Sequence, residues 1–250
     1  MNEKKYGRLI GASLGPGDPG LITRRAWEAL TTGARWTYPV KGAGAASYAL
    51  NIARRAGLDV PPDAEALVFP MTRQPEVLVR AWAQAAARTA ALLAEGRDVV
   101  FLVEGDASIY ATFAHLARTV RELAPEVEVE TIPGVPSFAA AAARINDPLV
   151  TKDGTLAVIP AVYDIETIDR LIDEFDTLAL LKIHPVLDDI IALLERRGLL
   201  GEACLIEKAG IPEERIVRDV ATLRGKKVAY LSLMLVRNPA RKNGGVGLEE

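Results

Sequence analysis

The chain has 250 residues, with 30 Lys+Arg against 33 Asp+Glu and a formal net charge of -3. Hydrophobic residues make up 50% and charged residues 25%, which excludes general disorder, since that needs low hydrophobicity and high net charge. The near-neutral balance also argues against a dedicated nucleic-acid binder, whose footprint is a strongly basic domain.

One cysteine, Cys204, precludes an intrachain disulfide and suits a cytoplasmic setting. With the only histidines, His115 and His184, it makes no spaced ligand cluster, so no metal site is expected. The opening MNEKKYGRLIGASLGPGD lacks the pattern of a signal peptide. No run reaches the roughly 18 apolar residues of a membrane helix, so no membrane partner is expected.

Residues 8–13 (RLIGAS) predict a strand and 21–31 a helix. Residues 36–40 predict a weak second strand, and 45–55 a helix stopping at Gly57. A strand over 66–71 is broken by Pro70. Residues 76–95 predict a long alanine-rich helix, with Pro75 in its first turn and Gly96 at its stop. The apolar run 98–103 (DVVFLV) suits a strand buried on both faces.

A second series begins with a helix over 109–121, then a strand over 127–132 with alternating acidic residues. Helices are predicted over 137–145, 165–175 and 188–197, and strands over 155–159, 177–183, 203–207 and 227–236. The alternation predicts a layered α/β architecture. Glu122, Pro125 and Glu126 interrupt it, so an N-terminal α/β domain is expected over 1–120 and a C-terminal one over 121–250. The Gly-rich, charged tail 238–250 is expected to be poorly ordered.

Three loops follow predicted strands. Gly15-Pro16-Gly17-Asp18-Pro19-Gly20 matches G-x-G-x-x-G and opens a predicted helix. That fingerprint holds a pyrophosphate on backbone N–H groups and a ribose on an acidic residue about 20 positions on. Here two of the intervening residues are prolines, which have no N–H, and the later region reads Tyr38-Pro39-Val40-Lys41 with no carboxylate. A rigid turn explains the glycines equally well. Glu104-Gly105-Asp106 ends the apolar strand, where ligand crevices of open α/β sheets lie. Gly105 admits close approach to the backbone, and Asp106 is expected to cap the next helix. Pro133-Gly134-Val135-Pro136-Ser137 ends another strand, with Ser137 as a candidate cap.

The segments LGPGDPG at 14–20, EGDASIYATF at 104–113 and PGVPS at 133–137 closely resemble the tetrapyrrole methylases, S-adenosylmethionine-dependent enzymes of corrin and sirohaem assembly. LLKI at 180–183, EKAG at 207–210 and YLSLMLV at 230–236 extend the resemblance over nearly the whole chain. VFPM at 68–71, the GDxxxYxTF form at 105–113 and SFAAAAAR at 137–144 are most similar to the branch that methylates precorrin-2 at C20.

The resemblance implies two α/β domains with S-adenosyl-L-methionine in the cleft between them, and a homodimer. It implies cofactor contacts at Pro16, at Glu104, Gly105, Asp106 and Ile109, and at Pro136 and Ser137. From the second domain it implies Leu181 or Lys182, and Ala209. Ala107 and Ala111 stand where the family often has proline and glycine or serine; both are small, so the loop shape is expected to survive.

The cofactor carries its methyl on a sulfonium, so the protein's task is positioning, which supplies roughly 7–11 kcal/mol. In the implied reaction C20 attacks the methyl and then loses a proton; Glu104 and Asp106 are candidate bases by position alone. A polycarboxylate tetrapyrrole substrate gives reason to expect a basic lip. Lys41, Arg73, Lys182, Lys208 and Arg237 lie near predicted strand ends, although each alone is more simply a solvated charge. Cys204 reads as a small core residue, and Trp27 and Trp82 as core or interface anchors. Tyr110 reads equally as a pocket or packing residue, and His184 as a strand-end residue.

Alternatives within the class are the cobalt-containing substrate analogue and a different ring carbon. From other classes come a nicotinamide-dependent oxidoreductase and a non-catalytic tetrapyrrole carrier. The prolines and the missing ribose acid weigh against the former; turnover decides the latter.

Overall fold

The structure, a computed structural model, describes residues 6–72, 74–161 and 164–244. The chain divides into two compact units, Met1–Pro136 and Ser137–Glu250.

The first unit contains β1 (Leu9–Ser13), β2 (Arg35–Val40), β3 (Glu65–Val68), β4 (Val99–Val103) and β5 (Val129–Ile132). They form one sheet in the order β3-β2-β4-β1-β5, with every pairing parallel. Helices α1 (Arg24–Thr31) and α2 (Tyr48–Arg55) cover one face, and α3 (Pro75–Leu93) and α4 (Thr112–Leu123) the other. The continuous apolar run of β4 follows from this. Val100 and Leu102 pack with α1 and α2, while Val99, Phe101 and Val103 pack with α3 and α4. Each such fully buried side chain contributes roughly 1.5–3 kcal/mol.

The expected boundary at 120 is displaced to 136/137. Glu122, Pro125 and Glu126 mark only the α4–β5 connection, and β5 returns to pair beside β1. The alternating pattern of β5 is that of an edge strand, whose side chains are mostly half-buried or exposed.

The second unit contains α5 (Ser137–Ile145), β6 (Leu156–Pro160), α6 (Ile165–Glu174), β7 (Thr177–Leu181), α7 (Leu187–Arg196), β8 (Ala203–Glu207), β9 (Arg215–Val217) and β10 (Ser232–Arg237). Its sheet runs β6-β7-β10-β8-β9. Only β6 and β7 pair in parallel; β10 is antiparallel to both β7 and β8. Helices α6 and α7 pack on one face, and the alanines of α5 on the other, against Cys204, Ile206, Leu233 and Leu235. Cys204 is therefore a core residue, and burial pushes its thiol up.

Several element starts move inward from expectation. Thr23 and Ser47 act as N-caps, accepting from the amides of Ala26 and Leu50, so α1 and α2 start at Arg24 and Tyr48. The strand expected from 227 begins at Ser232, because the Ala229 amide bonds the Glu207 carboxylate instead of a ladder partner. The sequence pattern missed β9, whose three residues are too few for a period. The tail from 245 onward lies outside the described residues. Among the described residues, no helix is long and apolar enough to cross a membrane.

Candidate functional site

A parallel sheet sends all its strand C-ends to one edge, and ligands bind there. In the first unit that edge receives Leu14 after β1, Lys41 after β2, Glu104 after β4 and Pro133 after β5. Because β4, β1 and β5 are adjacent, the three loops singled out from the sequence are neighbours.

The backbone links them directly. Leu14 N donates to Val103 O at 2.8 Å, Gly105 N to Gly15 O at 2.7 Å and Gly15 N to Gly105 O at 3.2 Å. Gly15 and Gly105 thus form an antiparallel bridge between two parallel strands' exits. Both take left-handed φ, 74° and 71°, where a side chain costs roughly 1–2 kcal/mol. A Cβ on Gly105 would meet no atom within 4 Å. Its α-carbon therefore faces open space bounded by the tied loops, as a backbone that cradles a ligand requires.

Two side chains complete the tie. Ser13 is fully buried; its hydroxyl donates to Ile132 O at 2.6 Å and accepts from Ala107 N at 2.8 Å. Asp106 accepts from Gly134 N at 2.7 Å through one oxygen. Its other oxygen accepts from Ser108 N at 2.7 Å and from the Ser108 hydroxyl. Burial would raise the Asp106 carboxyl, but the amides of Gly134 and Ser108 and the Ser108 hydroxyl outweigh it and hold the group below its ordinary value. With both oxygens committed to donors, Asp106 is a loop clamp.

Asp106 is not the cap expected of the following helix. Helix α4 starts at Thr112 with Ala111 at its cap position. Residues 107–111 form a turn in which Ile109 N bonds Asp106 O at 3.2 Å. Tyr110, at φ 49° and about half exposed, lies outside the helix.

Glu104 differs. The residue is exposed, yet desolvation pushes its carboxyl up, with Lys41 opposing the shift. β2 pairs with β4 through Thr37↔Phe101, and Lys41 follows β2 at the same edge of the sheet where Glu104 follows β4.

The first loop is braced from α2. Tyr48 donates through its hydroxyl to Pro16 O at 3.0 Å, and Arg55 to Gly17 O at 3.2 Å. Tyr48→Phe is expected to remove about 0.5–1.5 kcal/mol of local stability. Amide exchange at Gly17 and Asp18 should rise several-fold while the global melt stays put; unchanged exchange would mean the brace contributes nothing.

The glycine spacing is not a dinucleotide loop. Asp18 accepts from Gly20 N at 2.8 Å, and a 3-10 turn over Pro19–Leu21 precedes α1. The amide that would meet a pyrophosphate is occupied, and the α1 N-terminus is displaced to Arg24.

Pro136 ends the first unit and Ser137 is the first residue of α5. In the second unit, β7 and β8 are both antiparallel to β10 and so end at the same edge. Leu181 ends β7 and is followed by Lys182, and Lys208 and the buried Ala209 follow β8. Lys182 and Lys208 take φ of 57° and 51°, a non-glycine conformation that costs roughly 1–3 kcal/mol and collects at functional sites.

The expected basic lip is only partly realised. Lys182 and Lys208 share one sheet edge, but Arg237 ends β10, which runs the other way. Arg237 lies at the opposite edge, 2.8 Å from Asp147. Arg73 lies outside the described residues. His115 packs its ring on Trp82, centroids 4.5 Å apart, and the exposed His184 opens a 3-10 turn.

Sequence reasoning missed Ser13, Tyr48 and Arg55. A serine ending the apolar run of β1 was the available signal for the first. Nothing local marks the other two, which reach the loop from 32 and 38 residues away.

A family model described as tetrapyrrole (corrin/porphyrin) methylases matches residues 8–224. A cobalt-precorrin-2 C(20)-methyltransferase of Salmonella typhimurium is 33% identical, over 92% of this chain and 96% of its own. A precorrin-2 C(20)-methyltransferase of Sinorhizobium sp is 30% identical, over 94% and 97%. Among solved structures, the uroporphyrin-III C-methyltransferase of Thermus thermophilus complexed with S-adenosylhomocysteine superposes with a TM-score of 0.65 at 22% identity, over 94% of this chain and all of that one. A cobalt precorrin-4 methyltransferase gives 0.66 at 25%, over 92% and 94%.

Proposed function

The chain belongs to the tetrapyrrole methylases, and from that premise we propose that it transfers the methyl group of S-adenosyl-L-methionine to C20 of precorrin-2. The relatives at 30–33% identity support this, since their names specify that carbon and that macrocycle. The observation that carries it is the cradle at Gly105: a left-handed glycine whose missing Cβ leaves open space, held by two loops tied to its own.

The cofactor supplies an activated methyl and a neutral leaving group. The chain binds, orients and excludes water. Pro16, the backbone of Glu104, Gly105 and Asp106, Ile109 and Pro136 are the proposed contacts from the first unit. Ser137, Leu181, Lys182 and Ala209 are those from the second. Bracing of this kind limits loop motion, and orientation is where positioning lowers a barrier. Lys41, Lys182 and Lys208 are the proposed partners of substrate carboxylates. The reading further includes a cytoplasmic homodimer without nucleic-acid or membrane partners.

Incubation with labelled cofactor and either metal-free or cobalt-loaded precorrin-2 tests it, and label is expected at C20 of one or both. Label at another carbon would overturn the assignment; binding without transfer would indicate a carrier. Calorimetry should give tight binding of S-adenosylhomocysteine, and tight binding of NAD would overturn the cofactor.

A further inference from the structure

We propose that Glu104 accepts the proton that leaves C20 after methyl transfer. The proposal rests on the methyl-transfer reading. Two carboxylates follow β4 at the ligand edge of the sheet, and the structure separates them. Asp106 has both oxygens filled by the Gly134 amide and the Ser108 amide and hydroxyl. Glu104 receives no hydrogen bond among the described residues, and the charge acting on it is the ammonium of Lys41.

A proton acceptor needs a free lone pair, a route to water and a suitable basicity. Glu104 meets each need. Its carboxylate carries no donor among the described residues, and the residue is exposed, so a captured proton can leave. Crowding raises the carboxyl above its ordinary value, which strengthens it as an acceptor, while Lys41 favours the ionised form that must be present first. Lys41 is thus a positioning residue, which follows β2 at the edge where Glu104 follows the neighbouring β4 and whose charge acts on the Glu104 carboxylate.

The step balances without a further reactant. A π electron pair at C20 forms the new carbon–carbon bond. The methyl–sulfur bond breaks and its pair stays on sulfur. The macrocycle is left with one added positive charge and a C20 bearing both hydrogen and methyl. Transfer of that proton to Glu104 returns the C–H pair to the ring conjugation, and Glu104 then releases the proton to water.

The test uses the full chain and Glu104→Gln, which keeps size while removing the basic oxygen. S-adenosylhomocysteine affinity by calorimetry is expected to stay close to wild type. The turnover number should fall about 10²–10⁴-fold, the range for loss of a general base. With precorrin-2 deuterated at C20, the variant should show a primary isotope effect larger than that of wild type, because proton removal becomes slow. Wild-type turnover in the variant would overturn the proposal, as would slowed turnover without a larger isotope effect, or lost cofactor affinity. Wild-type protein that binds the cofactor but never methylates precorrin-2 would overturn the parent reading, and this one with it. An active wild type with an unaffected variant would overturn this one alone.

Discussion

Gly134→Ala is expected to pull the three loops apart. A Cβ at this position would lie 2.4 Å from the Ser13 Cβ and 2.8 Å from the Gly105 carbonyl oxygen. Neither neighbour can yield cheaply. Ser13 is fully buried on a central strand, and its hydroxyl already bonds Ile132 O and Ala107 N. The Gly105 carbonyl accepts from Gly15 N in the bridge between the first two loops. Relief therefore requires moving residue 134 outward, which stretches its amide bond to Asp106. Overpacking of this kind costs about 1–3 kcal/mol. The affinity for S-adenosylhomocysteine should fall about tenfold or more, since 1.4 kcal/mol of lost alignment is a factor of ten. Denaturant titration and calorimetry measure the two effects. Gly201→Ala is the control: its Cβ meets nothing within 4 Å, so a change within about 0.5 kcal/mol is expected. Equal behaviour of the two variants would mean that the close approach at Gly134 is not what holds the loops.

Asp106→Asn should be nearly as damaging, for a different reason. The carboxylate accepts on both oxygens, whereas asparagine offers one acceptor and one donor. Whichever way the amide turns, its NH2 group meets either the Gly134 amide or the Ser108 donors. One bond is lost and a donor is left facing a donor, at a cost of about 2–4 kcal/mol. The pH dependence distinguishes this from general damage. Because the folded value of Asp106 is depressed below its ordinary 3.8, its contribution is complete above that pH and declines as pH falls through the folded value. The stability gap between wild type and variant should therefore be widest near neutrality and narrow on acidification below about pH 4. A gap that stays constant down to pH 3 would show that the Asp106 charge is not what the loops depend on.

The contacts behind these effects are unevenly marked in the sequence. The cores of the strands and most helices were legible, because their signals are local. The run VVFLV suits a strand covered on both faces, as β4 is, and SFAAAAARI matches α5 residue for residue. The three loops were legible as a set because glycine and proline punctuate strand ends in order. Element starts were less so. Thr23 and Ser47 shift two helices by capping, a choice between hydrogen bonds that periodicity does not register. The domain boundary falls later than the charged and proline residues before β5 suggest, because those residues describe a turn, while the unit to which β5 belongs depends on its partner 120 positions earlier, as in the Leu9↔Val129 register. Arg237 leaves the lip because β10 is antiparallel to its neighbours, a direction that no local pattern marks, and delivers its last residue to the far edge.

A net charge of -3 leaves Lys182 and Lys208 together at one sheet edge, with Arg237 withdrawn to Asp147. The α/β class, the strand-end loops and the residues that carry the family's motifs are readable along the chain, because each is written in a few consecutive side chains. Tertiary packing alone makes Asp106 a clamp and leaves Glu104 without a hydrogen bond among the described residues. Two acids one residue apart from a shared glycine are chemically alike in sequence. What separates them is which donors the fold brings from 28 residues away, and that depends on the order in which β4, β1 and β5 lie side by side.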